Sequence, residues 1–334
     1  MDSVLLLLGL VLIAAVIFDF INGFHDTANA IATVIATRVL APWQAILMAA
    51  ALNFLGALSG TAVAKTIGSG LIDPAAVTQG AVLAALMGAI FWNLFTWYYG
   101  IPSSSSHALV GGIIGGAIGH AGTGAPLWGT IAQKTFLPFV ISPLVGFAIA
   151  VVLMIVLLNA FQRASRAAMG AIFGKAQLAS SAFMAFSHGT NDAQKTMGVI
   201  TIALISAGLL PREAPIPIWV IALAATAMAL GTAAGGWRII RTMGTRLTSL
   251  QPVHGFAAET SAALVIETAS RFGLPLSTTH VIASTIMGTG AARGINYVRW
   301  NVAGNMITAW ILTIPATAGS AYVAYRLLSL VGLG

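Results

Sequence analysis

Apolar residues run through this chain in long stretches, and its polar residues are gathered into a few short motifs inside or between them. Val4–Phe18, Ala45–Ala64, Ala81–Leu94 and Phe139–Leu158 are almost free of charge. Several of these approach or exceed the roughly 20 apolar residues with which a helix spans a bilayer. A water-soluble chain could bury one such helix, but not a whole series. The pattern predicts an all-α polytopic membrane protein of about 10–12 membrane helical elements. Met1–Phe18 lacks the basic opening of a signal peptide and leads into a polar motif, so it reads as the first membrane helix.

The polar motifs recur in one order along the chain. Asn22-Gly-Phe-His-Asp-Thr-Ala-Asn29 returns as His188-Gly-Thr-Asn-Asp-Ala-Gln-Lys195, with Asp26 and Asp192 166 positions apart. Gly60-x4-Lys-Thr-Ile-Gly68 returns as Gly236-x4-Arg-Thr-Met-Gly244, an offset of 176. Gly100-Ile-Pro-Ser-Ser-Ser-Ser-His107 returns as Gly273-Leu-Pro-Leu-Ser-Thr-Thr-His280 at an offset of 173. Trp128 and Pro143 match Trp300 and Pro315 at 172. Shared membrane composition would repeat Leu, Ala and Gly, but not Asp, His and Pro. Two repeats are therefore predicted, 1–158 and 178–334, joined by a short basic cytoplasmic linker, 159–177.

Charge orients them. If each half crosses five times from an outside N-terminus, the inner connections carry nine basic residues: Arg38, Arg163, Arg166, Lys175, Arg238, Arg241, Arg246, Arg293 and Arg299. Lys65, Arg212, Arg271 and Arg326 fall outside. That bias fits the positive-inside rule, and places both termini outside an inner (plasma) membrane. An odd number of crossings inverts the second half. Inverted-topology repeats with broken or re-entrant helices are typical of secondary transporters, whose site lies where the halves meet. Overall, 58% of residues are hydrophobic and 7% charged, and cysteine is absent, which excludes disulfides and thiolate chemistry. The net charge of +7 belongs to the membrane loops and implies no nucleic acid partner.

Two motif pairs carry the candidate chemistry. Asp26 and Asp192 sit in apolar sequence, where an ionised carboxylate is costly unless paired or hydrated. Glycine and polar residues precede each, which predicts a broken helix with freed carbonyls. Carboxylates with amide and carbonyl oxygens suit a hard cation such as Na+, and a carboxylate alone suits a proton. The Pro-Ser-Ser-Ser-Ser and Pro-Leu-Ser-Thr-Thr turns place hydroxyls at predicted helix starts, which bind oxyanions. His188 adjoins the second motif; Lys195 is open between neutralising Asp192 and meeting an anion. His107 and His280 read as interhelical hydrogen-bonders. Glu259 reads as buried, and Glu267 as a partner of Arg271 one helical turn on.

These motifs resemble the duplicated signature of the inorganic phosphate transporter (Pit) family, almost end to end. Gly255-Phe-Ala-Ala-Glu259 is similar to a further family motif. The resemblance implies import of inorganic phosphate by symport with a cation, Na+ or H+, through alternating access. It implies no cofactor beyond that coupling ion. Phosphate would be cradled by Ser104, Ser105, Ser106, Ser277, Thr278 and Thr279, with Gln194 nearby. Asp26 and Asp192 would hold the coupling cation, as metal ligands if it is Na+, helped by Asn22, Asn29 and Asn191. His188, Lys195 and Glu259 would support transport. Partners would be phosphate, the cation and the lipid bilayer, with a homodimer left open. Some relatives carry a glutamate near Asn53, so any role of that carboxylate is absent here. A sulfate permease of the same family remains an alternative. An intramembrane Ser/His/Asp hydrolase fits poorly, since no Gly-x-Ser-x-Gly elbow exists. A transporter, not an enzyme, is expected.

Overall fold

The computed structural model describes residues 2–73 and 77–334. In order, the helices are α1 (Asp2–Ala36), α2 (Pro42–Ala57), α3 (Ala62–Gly70), α4 (Gln79–Tyr99), α5 (Ser105–Ala121), α6 (Trp128–Ile131), α7 (Leu137–Ala160) and α8 (Arg166–Ser206). There follow α9 (Ile218–Ala234), α10 (Trp237–Arg241), α11 (Pro252–Arg271), α12 (Thr278–Ala291) and α13 (Trp300–Leu330). π-helical turns at Ala132–Phe136 and Thr242–Arg246 extend α6 into α7 and follow α10. No strand occurs among the described residues.

By length and composition, four stretches can cross a membrane: Val4–Ala36, Gln79–Tyr99, Trp128–Ala160 and Trp300–Leu330. Two bent pairs, α2 with α3 at 69° and α9 with α10 at 62°, can each make one further span. Large apolar side chains such as Leu6, Val140, Leu144 and Ile311 are exposed, while Asp26, Asp192 and Glu259 are buried. Apolar outside and polar inside suits a lipid solvent. The chain is a multi-pass helical membrane protein.

Local sequence sets the helix ends. Proline opens α2 and α11, where a missing amide costs nothing. Gly100 (φ 65°) and Gly273 (φ 67°) take left-handed conformations at the ends of α4 and α11 and turn the chain into the next motif. Most of segment 159–177 is helical, since α8 begins at Arg166.

Helix breaks occur, but not where the sequence places them. Both α1 and α8 run unbroken through Asp26 and Asp192. Neither helix contains a proline, and Gly23 and Gly189 are used for close packing rather than for a break. A Cβ at Gly23 would lie 2.4 Å from the Met228 carbonyl oxygen, and one at Gly189 2.2 Å from that of Asn53. The breaks fall instead between α2 and α3, between α9 and α10, and in the extended turns before α5 and α12.

The halves interlock. α1 packs on α9 and α8 on α2; α5 packs on α13 and α12 on α7. Each long helix thus finds much of its packing in the other half, and the polar motifs of both halves are drawn to one centre.

Candidate functional site

On α1 the polar residues Asn22, Asp26, Asn29 and Thr33 lie three or four positions apart, which puts them on one helical face. On α8, Gln177, Ser181, His188, Asn191, Asp192 and Lys195 form a matching stripe. The starts of α5 and α12 close the site from the other side.

Both of those starts are capped as the sequence predicts. Ser104 accepts from the His107 amide at 3.1 Å, and Ser277 from the His280 amide at 3.2 Å. The two turns touch, Ser106 Oγ donating to the Leu276 carbonyl at 2.9 Å. Asn29 Nδ2 donates to Thr278 Oγ1 (3.2 Å) and Thr279 Oγ1 (2.9 Å), which ties α1 to α12.

The aspartates sit among these groups. His25 Nδ1 lies 2.7 Å from Asp26 Oδ1, and Thr279 donates to the same oxygen at 3.4 Å. Thr278 donates to Asp192 Oδ2 at 3.1 Å, and His188 Nε2 is 3.3 Å from that atom. Lys195 Nζ bonds both Asp192 Oδ1 and Ser106 Oγ. One ammonium therefore neutralises an aspartate and also reaches the hydroxyl turn. Ligand atoms of Asp26, His188 and Asp192 all lie within 4.8 Å of one another, and all three residues are buried. That set can hold a cation.

The oxygens of Asn29 and Asn191 and the hydroxyl of Ser105 are buried without partners. Such groups are costly unless a ligand or water completes them. The Asn191 amide nitrogen donates to Ser270 at 2.8 Å. Gln194 turns away: its Oε1 accepts from the Val63 amide at 2.8 Å and the Ala64 amide at 3.3 Å, satisfying the start of α3. It lines a separate cavity of about 360 Å³ with Thr190 and Glu267. Glu259 also lies apart, its carboxylate held by Thr33, Gln177 and Ser180. Glu267 pairs with Arg271 at 2.9 Å, as the spacing predicts.

Several residues at the site take parts that the sequence did not assign to them. His107 and His280 stack on each other with ring centres 4.3 Å apart, flanked by Phe139 (3.8 Å) and Trp310 (4.0 Å). This four-ring column crosses from α7 through α5 and α12 to α13 and locks the two helix starts together. Thr96 of α4 and Ser103 orient His25 through its Nε2, at 3.1 and 3.4 Å. Asp19 is also buried here. Its signal was available, an acid between Phe18 and Phe20 in an apolar run.

The phosphate transporter family model matches residues 22–170 and 158–321. A Rhizobium meliloti (strain 1021) protein named "Probable low-affinity inorganic phosphate transporter" is 47% identical over 322 residues, 95% of this chain and 96% of the relative. A Bacillus subtilis (strain 168) protein of the same name is 45% identical, covering 99% of this chain and 100% of the relative. The solved structure of "The sodium-dependent phosphate transporter" superposes with a TM-score of 0.86 at 27% identity, covering 97% of this chain and 99% of that one. The duplicated motif at Asp26 and Asp192, the match to the family model across nearly the whole chain and the shared fold agree: the chain belongs to the phosphate transporter family.

Proposed function

We propose that this protein carries inorganic phosphate into the cell by symport with a cation, binding both where α1 and α8 meet the starts of α5 and α12. One observation carries the reading. Two hydroxyl-bearing helix starts, one from each half, converge on a pair of buried aspartates. Helix-start amides and hydroxyls attract an oxyanion without an arginine clamp, so the anion can leave again. Ser104–Ser106 and Ser277–Thr279 form the cradle, with Ser105 Oγ lacking any other partner and Lys195 beside Ser106. Gln194, already committed to α3, is left out of the cradle.

Asp26 and Asp192 hold the coupling cation, with the free oxygens of Asn29 and Asn191 as further donors, while Asn22 lies one turn earlier on α1. Sodium is favoured over protons because the set offers several oxygen ligands; the sodium dependence named for the solved relative supports it. His188 and Glu259 support the helices that carry these groups. Residues 1–158 and 178–334 act as two inverted repeats with both termini outside the inner membrane. The site is buried, so transport requires it to open to each side in turn, and the interlocked halves supply the moving units.

Purified protein in proteoliposomes should take up labelled phosphate, and not sulfate, under an inward sodium gradient. No phosphate uptake under any imposed gradient sinks the reading. Full drive by protons in sodium-free vesicles, unchanged by added sodium, reassigns the aspartates as proton carriers.

A further inference from the structure

Asp19 lies seven residues before Asp26 on the same face of α1, roughly 10 Å away along the helix axis. It is 0% exposed, and neither carboxylate oxygen has a hydrogen-bond partner. Asn22 and Thr196 are the polar side chains beside it. Both are buried, and Asn22 Oδ1 and Thr196 Oγ1 are likewise without partners. The Asn22 amide nitrogen is turned to the Met228 sulfur at 3.8 Å. Thr27, Thr190 and Thr201 each donate to the carbonyl four residues earlier, at 2.6, 3.0 and 2.7 Å; Thr196 does not.

Four oxygens from α1 and α8 therefore stand together in an apolar interior, and none of them makes a well-formed hydrogen bond. The nearest charges, Asp192 and Lys195, face Asp19 from α8, and the Lys195 ammonium is already held by Asp192 and Ser106. The packed helices α2, α4 and α9 contain no Asp, Glu, His, Lys or Arg. α10, α11 and α12 meet α1 further on, at Phe24, Thr33 and Asn29.

We propose that Asp19, Asn22 and Thr196 form a monovalent cation site for sodium, separate from the Asp26–Asp192 cluster. The oxygen-only donor set suits a hard cation. One carboxylate matches one positive charge, whereas a divalent ion would leave excess charge in apolar surroundings. A proton on Asp19 adds a single hydrogen bond between two of these oxygens, whereas a metal ion can be coordinated by several at once. The site has no counterpart in the second half, where Ala185 stands at the position matching Asp19. That half instead carries its own cation, since Lys195 occupies the position matching Asn29. The inference deepens the cation-coupled reading and rests on it.

The test is equilibrium binding of radioactive sodium to the purified full-length protein without phosphate, for wild type, Asp19→Asn and Thr196→Val. Size-exclusion chromatography checks folding, and labelled phosphate uptake by wild type runs in parallel. Asp19→Asn should lose one equivalent of bound sodium, and Thr196→Val should weaken that site roughly three- to tenfold. Wild-type sodium binding by a monodisperse Asp19→Asn protein, or no sodium binding by wild type, overturns the site. If wild-type uptake persists in that case, the transport reading stands without it. Asp19-dependent sodium binding without any phosphate uptake supports the site and removes the transport reading instead.

Discussion

At the scale of single residues, what distinguishes the buried acids is their partners. Glu259 accepts from three side chains, Asp192 holds an ammonium, and Asp26 holds an imidazole and a hydroxyl. Asp26→Asn and Asp192→Asn should each abolish phosphate uptake while the protein still inserts. Their stabilities should differ. Asp192→Asn leaves the Lys195 charge buried and uncompensated, a defect of about 3–5 kcal/mol, whereas Lys195→Met in the same chain removes that charge. Thermal melts in detergent should therefore rank Asp192→Asn below Asp26→Asn, with the double variant recovering stability but not transport. An Asp192→Asn melt equal to wild type would mean that the pair contributes little. Among the hydroxyls, Ser105 has no competing partner, and Thr278 already bonds Asn29 and Asp192. Ser105→Ala and Thr278→Ala should mainly raise the apparent phosphate Km, by roughly 1–3 kcal/mol in binding. An unchanged Km in uptake assays removes either residue from the cradle.

At the scale of elements, the site depends on two long helices that stay intact and lie very close to their neighbours. Gly189 lets α8 approach α2, and Gly23 lets α1 approach α9. In each case the atom that an added methyl meets belongs to backbone, which cannot rotate away. Gly189→Ala should cost about 1–3 kcal/mol or more through overpacking and shift the stripe that carries Asp192. Gly9 of α1 has nothing within 4 Å of an added Cβ, so Gly9→Ala should be neutral or mildly stabilising. Equal melting temperatures for Gly9→Ala and Gly189→Ala would contradict the packing argument.

At the scale of the molecule, membrane placement follows from the exposed apolar faces and from the charges between spans. The turn between α7 and α8 lies among Arg163, Arg166 and Lys175 and should face the cytoplasm. The chain has no cysteine, so a single Ser165→Cys variant gives a clean probe at an exposed helix start. A membrane-impermeant thiol reagent should label it from the cytoplasmic side only. Periplasmic labelling would reverse the proposed topology. In the proposed transport cycle, opening the site should move helices of both halves, because α5 rests on α13 and α12 on α7.

Membrane class, helical architecture, repeated motifs and family are all legible in the order of the amino acids. Each of these rests on local or periodic signals: apolar run length, motif spacing, and prolines and hydroxyls at helix starts. The caps at Ser104 and Ser277 and the Glu267–Arg271 pair were legible for the same reason, since their partners lie within one helical turn. Tertiary structure alone decided which partners meet across the chain. It joined Lys195 to Ser106, gave Gln194 to α3, stacked His107 on His280 and left Asp19 with its oxygens unmet. It also decided that α1 and α8 remain unbroken. Glycine beside polar residues reads equally as a hinge or as a contact, and only the backbone of the neighbouring helix, at Met228 and Asn53, determines which it is.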